Sequence, residues 1–255
     1  MINAVLIGAG NLASHIYRAF EESEKLRFIQ VYNRRLEHID FVSPDTAVTD
    51  DMDQLLDADI YFLCISDGAI AEVSKNLTFT NRLTVHCSGA SAMNILNDKN
   101  RTGVFYPLQT FLKASEADFS AIPICVEAAN DQDKEFLLTL GNEISESVQE
   151  IDSEQRAAIH VAAVFVNNFV NYLFQIGESL MEENQMDFSL LHPLIEKTVR
   201  NALQDSPKNL QTGPAKRDDK GTIEKHLNQL TNQEQKNIYK TITNAILEQY
   251  GREKL

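Results

Sequence analysis

Three cysteines in 255 residues leave little for a disulfide framework. Cys64, Cys87 and Cys125 form no C-x-x-C pair and have no histidine at zinc-finger spacing, so no metal site is expected. Each lies in or beside an apolar run, which suits buried free thiols in a reducing, cytoplasmic setting. Basic charge is also short: 23 Lys and Arg stand against 37 Asp and Glu, for a formal net charge of -14. A general nucleic-acid binder needs a basic surface to meet phosphates, so that class is set aside. The opening MINAVLIGAG lacks the basic start and cleavage site of a secretory leader. The longest apolar run, residues 157–174, has the length of a membrane span, but His160, Asn167, Asn168 and Asn171 interrupt it. Hydrocarbon would penalise them, so a buried helix is expected there and no membrane partner.

What is present divides into two textures. The first half alternates short apolar runs with helical patterns, the mark of an α/β sheet. Strands are expected near 2–7, 27–32, 59–65, 82–87, 103–106 and 122–126. Helices are expected near 11–22, 51–57, 68–75, 90–97 and 131–142, with Asp50, Asp67 and Asp131 as N-caps. After about residue 150 strand-like runs vanish. Long helices are expected near 153–184, 188–205, 222–230 and 232–250, with breaks at Pro207 and in the turn-rich stretch 212–219. The expected architecture is α/β: a Rossmann-type, mainly parallel sheet over 1–150, then an all-α domain over 151–255.

Residues 4–13 read AVLIGAGNLA, a G-x-G-x-x-A pattern directly after a strand and opening a helix. Gly8 permits the tight turn, Gly10 lets the backbone approach a pyrophosphate, and Ala13 allows close helix–strand packing. The amides of Asn11 and Leu12 then face the negative charge. At the end of the second strand, where an acid would grip the ribose hydroxyls, the chain has Asn33, Arg34 and Arg35. Asn33 does not repel a 2′-phosphate, and the two arginines can form charge-assisted forks to it. The expected cofactor is therefore NADP(H). A solvated turn is the alternative for the arginines.

Ligands of open α/β sheets bind beyond the carboxyl ends of the strands. Ser66 and Asp67 lie there and are expected to line the cofactor, although Asp67 is also a simple helix cap. His86 and Ser88 bring a titratable ring and a hydroxyl to the same edge, while Tyr106 and Gln109 suit a pocket wall. On the apolar helix, Asn167 and Asn171 each fall within roughly 20° of His160 at 100° per residue. Buried polar groups need partners, which another helix or a ligand could supply. His160, His86, Asn167 and Asn168 are the catalytic candidates; Ser88, Tyr106, Gln109 and Asn171 are the pocket candidates. The stretch 212–219 reads either as an exposed connection or as a loop folding over the cleft.

The glycine pattern, S66-D-G-A-I70, H86-C-S-G-A90, Y106-P-L-Q-T-F111, H160-V-A-A-V-F-V-N-N-F169 and T212-G-P together resemble a group of little-characterised bacterial Rossmann-like NADP oxidoreductases with a C-terminal helical domain of unknown function. More distantly the chain is similar to pyrroline-5-carboxylate reductase and the β-hydroxyacid dehydrogenases. The resemblance implies a homodimer through the C-terminal helices, which in those families close the substrate cleft. The β-hydroxyacid dehydrogenases place a catalytic lysine four residues before an asparagine. Here Ala163 and Val164 stand four before Asn167 and Asn168, so that lysine is missing. Two functions follow as expectations: hydride transfer to or from a small carbonyl, imine or alcohol, or a non-catalytic NADPH-binding regulator or scaffold.

Overall fold

The computed structural model describes residues 1–113 and 115–255. The chain divides into two compact units, Met1–Phe165 and Val166–Leu255. The expected boundary at 150/151 falls earlier, just before the long helix begins.

The first unit is built on one eight-stranded sheet: β1 (Ile2–Ile7), β2 (Leu26–Tyr32), β3 (Ala47–Thr49), β4 (Ile60–Leu63), β5 (Leu83–His86), β6 (Arg101–Pro107), β7 (Ile124–Ala128) and β8 (Val148–Glu150). Their spatial order is β3-β2-β1-β4-β5-β6-β7-β8. Neighbours run parallel except β6 and β7. The first six strands thus follow the 3-2-1-4-5-6 order of doubly wound nucleotide-binding sheets, and the order reverses between β1 and β4. Helices α1 (Asn11–Ala19), α2 (Asp67–Asn76) and α3 (Asp131–Ile144) cover the sheet. Alternation along the strands sends Ala4, Leu6 and Phe62 into one core with Ile16 of α1 and Leu137 of α3. It sends Val5, Ile7, Tyr61 and Leu63 into the other with Ile70 of α2. Burial on both faces explains why β1, β4 and β5 read as nearly unbroken apolar runs.

Two expected helices are absent. Residues 51–57 and 90–97 contain only 3₁₀ turns, Met52–Gln54 and Met93–Ile95. Side chains take the backbone groups a helix would have used. Gln30 donates to Gln54 O at 3.0 Å and accepts from Leu56 N at 2.8 Å, while Tyr61 Oη accepts from Ala58 N at 3.0 Å. In the other segment, Ser88 Oγ accepts from Ala90 N and Ser91 N, and Ser153 Oγ accepts from Met93 N. The short strands β3 and β8 escape sequence reading because three residues carry no period. The expected caps shift by one residue: Asp51 caps the first turn, Ser66 holds the N-cap position of α2, and Asn130 caps α3 by accepting from Asp133 N.

The long apolar stretch is one run of helix: α4 (Ser153–Ala163), a π-helical segment (Val164–Phe169) and α5 (Val170–Glu183). It is long and apolar enough to cross a membrane by length and composition. The expectation that it is buried fails for the single chain. Val161, Phe165, Val166 and Phe169 are all at least half exposed, and α5 has no buried residue.

The second unit continues with α6 (His192–Gln204), α7 (Pro207–Leu210), α8 (Lys220–Gln229) and α9 (Gln233–Gln249). Pro207 opens α7 instead of marking a plain break, because a missing N–H costs nothing at a helix start. Residues 212–219 form a turn with Gly213 and Asp218 at positive φ, and Asp219 caps α8 by accepting from Thr222 N. Between α5 and α9 lies an apolar cavity of about 280 Å³, lined by Leu173, Ile176, Ile238 and Ile242 among others.

Candidate active site

The glycine turn sits where the strand order reverses. Gly8 has φ +119°, and a Cβ there would lie 2.2 Å from Cys64 O, so only glycine fits. Gly10 occupies the N-cap of α1 with nothing within 4 Å of where its Cβ would be. No side chain caps α1, and its first turn holds no acid. The helix amides are thus left for an anion, and the site suits a dinucleotide pyrophosphate. Ala13 is fully buried against the sheet, as close packing requires.

At the end of β2, Asn33 Nδ2 donates to Arg35 O at 2.8 Å. That bond shapes the turn that carries Arg34 and Arg35, both exposed and without an ion pair among the described residues. Ser66 and Asp67 are exposed at the start of α2, beyond β4. Asn11 has a role the sequence did not signal. Its side-chain amide donates to Phe111 O at 3.0 Å, and His15 Nε2 lies 3.0 Å from Leu112 O. The segment after β6 is thereby tied to α1.

At the carboxyl ends of β5 and β6 the structure joins three residues that are distant in sequence. Tyr106 Oη lies 3.3 Å from His160 Nδ1. A Cβ on Gly89 would meet His160 Nδ1 at 2.6 Å and Tyr106 Oη at 2.8 Å. Gly89 is a site residue that sequence reading missed; its only signal was its place after a strand. Burial, with the Cys125 sulfur adding to it, pushes the Tyr106 phenol up and keeps it protonated.

A buried ionic network holds this corner. Arg156, 1% exposed, pairs with Glu127 of β7 and donates to Ser91 O, while Ser153 Oγ donates to Glu127. The first turn of α4 is thus locked to β7 and to the loop after β5. His160 stands one turn further along that helix.

His86, a catalytic candidate in the sequence, lies elsewhere than expected. It is fully buried, its Nδ1 accepts from Ser88 N at 3.1 Å, and its Nε2 has no hydrogen-bond partner among the described residues. Burial, with the Arg156 charge adding to it, pulls its pKa down to about 4. It is therefore neutral near pH 7 and closed off from a ligand. Ser88 is buried and its oxygen serves the Ala90–Ser91 turn. Gln109 is exposed, and its Oε1 accepts from Thr110 N. Asn167, Asn168 and Asn171 are exposed in the helical unit. The π-helical segment advances each residue by less than 100°, so the polar stripe read at α-helical spacing does not carry through it.

Among the described residues no cluster of His, Cys, Asp and Glu could hold a metal ion. The model of a family described as a domain of unknown function (DUF2520) matches residues 122–246. A search of curated proteins finds no match. Among solved structures, a Bacteroides fragilis protein described as a "putative NADP oxidoreductase" is 34% identical over 97% of this chain and 98% of its own, with a TM-score of 0.87. A Plasmodium falciparum pyrroline carboxylate reductase with NADP bound is 14% identical over 98% of this chain and 97% of its own, with a TM-score of 0.57. An imine reductase variant from Myxococcus stipitatus in complex with NAD+ is 14% identical over 98% and 94%, with a TM-score of 0.58. The last two show a shared fold. Identity and near-complete coverage with the first show more: the chain belongs to that protein's family, the Rossmann-like oxidoreductases with a helical C-terminal domain of unknown function.

Proposed function

We propose that this protein is an NADP(H)-dependent oxidoreductase that moves hydride to or from a small carbonyl, imine or alcohol. The observation that carries the reading is an open glycine turn at the sheet's switch point together with a tyrosine–histidine pair at the carboxyl ends of β5 and β6. Gly8, Gly10 and the first amides of α1 hold the pyrophosphate, and Arg34 and Arg35 receive the 2′-phosphate. When bound, the cofactor supplies or accepts hydride at the nicotinamide ring. Tyr106, kept protonated by burial, gives its proton to the substrate oxygen or nitrogen, and His160 restores it. His86, sealed and neutral, is left out of that path.

The exposed apolar side chains of the helical unit support a homodimer formed through it. Calorimetry tests the cofactor: NADPH is expected to bind at least about tenfold tighter than NADH, with Arg34→Ala narrowing the gap. Equal dissociation constants would sink the 2′-phosphate assignment. A screen of small oxo-acids and imines that follows NADPH oxidation tests the chemistry. Tyr106→Phe and His160→Ala should each lower turnover about 100-fold. If both retained full turnover, the proton roles would be withdrawn. NADPH binding without turnover on any compound would favour the regulator.

A further inference from the structure

Two cysteines bridge the halves of the site. The register pairs Leu63 of β4 with His86 of β5, so the next residues along each strand are Cys64 and Cys87. Their sulfurs lie 3.4 Å apart, with the Cys64 thiol donating to Cys87 Sγ. Both are free thiols. Cys64 N donates to Ile7 O at 2.8 Å, and its carbonyl is the atom that leaves Gly8 no room for a Cβ. Cys87 immediately precedes the Ser88–Gly89 turn against which Tyr106 and His160 pack. Adjacent strands run about 4.8 Å apart, within the Cα spacing that a disulfide tolerates.

We propose that Cys64 and Cys87 are a modification site, a thiol pair that hydrogen peroxide converts to a reversible disulfide and so loosens the cofactor turn. The Cys64 sulfur attacks one peroxide oxygen, the O–O bond breaks, and a sulfenic acid and water form. The Cys87 sulfur then attacks the sulfenic sulfur, the S–O bond breaks, and a second water carries off the remaining thiol proton. Two thiols and one peroxide give one disulfide and two waters. The sulfurs close from 3.4 Å to about 2.05 Å. Because adjacent strands stand closer than the roughly 5.5–6 Å Cα separation most disulfides adopt, the bond pushes the end of β4 away from β5 and toward the glycine turn. That motion is transmitted to the Cys64 carbonyl beside Gly8, where nothing can give. Cross-strand strain also makes such a bond easy to reduce, the property of a switch rather than a staple. Burial and the neighbouring sulfur push the Cys87 thiol up.

The formation of the bond is independent of the proposed function; its effect on NADPH rests on that reading. The reduced full chain is treated with hydrogen peroxide, free thiols are alkylated, and tryptic peptides are analysed by mass spectrometry. Lys75 and Arg82 place the two cysteines in separate peptides, and Cys125 in a third. The expected result is a Cys64–Cys87 crosslink that dithiothreitol reverses, with Cys125 alkylated and unlinked. NADPH should bind about tenfold more weakly to the oxidised protein. Cys87→Ser and Cys87→Ala should both retain the reduced-state affinity after peroxide. Separate alkylation of Cys64 and Cys87 after other side chains have oxidised would overturn the proposal, as would a crosslink that leaves NADPH affinity unchanged. Failure of the reduced protein to bind NADPH would count against the cofactor reading instead, with the crosslink still deciding the thiol pair.

Discussion

The sheet unit and the helical unit handle apolar surface in opposite ways. In the first, β1, β4 and β5 are buried on both faces by their own chain. In the second, α5 and α6 contain no buried residue, and Leu203, Leu190 and Leu194 stand 84%, 67% and 63% exposed. Each leucine buried fully would contribute roughly 1.5–3 kcal/mol, so this exposure leaves much stabilisation unrealised. The sheet of the first unit is covered by its own helices, whereas the helical unit leaves large leucines open.

The largest test of that contrast lies in the sheet unit's buried ion pair. Glu127→Ala strands the Arg156 guanidinium and should cost about 3–5 kcal/mol in urea unfolding. Adding Arg156→Met should recover much of it, and an undiminished double-variant loss would show that the pair is not the cause. Acid gives the next effect. The folded pKa of His86, about 4, lies below its ordinary 6.5, so the unfolded chain binds more protons between those values. This stabilisation is complete above pH 6.5 and is lost as pH falls toward 4, by up to about 3 kcal/mol. The corresponding slope should vanish in His86→Gln; a slope that persisted would have another source. The smallest effect belongs to the helical unit. Leu194→Ser with Leu203→Ser should weaken self-association by about tenfold in analytical ultracentrifugation while barely moving the unfolding midpoint of dilute protein. A wild-type chain that sediments as a monomer at every concentration would break the comparison.

The sheet was legible because its strands are apolar runs at regular intervals, punctuated by the glycine turn. The glycine turn was legible for the same reason: what Gly8 and Gly10 provide is local to the strand–helix junction. The turns at 51–57 and 90–97 were not, because Gln30, Tyr61 and Ser153 satisfy their backbone from far along the chain. His86 misled as an exposed-looking polar residue at a strand end, since nothing local reveals a neighbour such as Arg156. The meeting of Tyr106 with His160 depends on where α4 docks. That docking is set by Arg156 and Glu127, whose pairing crosses from helix to strand.

Gly89 has a consequence for inheritance. Its hydrogen stands where any side chain would collide with two rings at once. A side chain at position 89 therefore requires changes at both 106 and 160. A lineage that gains a side chain at 89 must first shrink or turn aside both rings, and with them lose the Tyr106–His160 contact. Aligned relatives should show those three columns changing in concert, a signature readable without a substrate in hand.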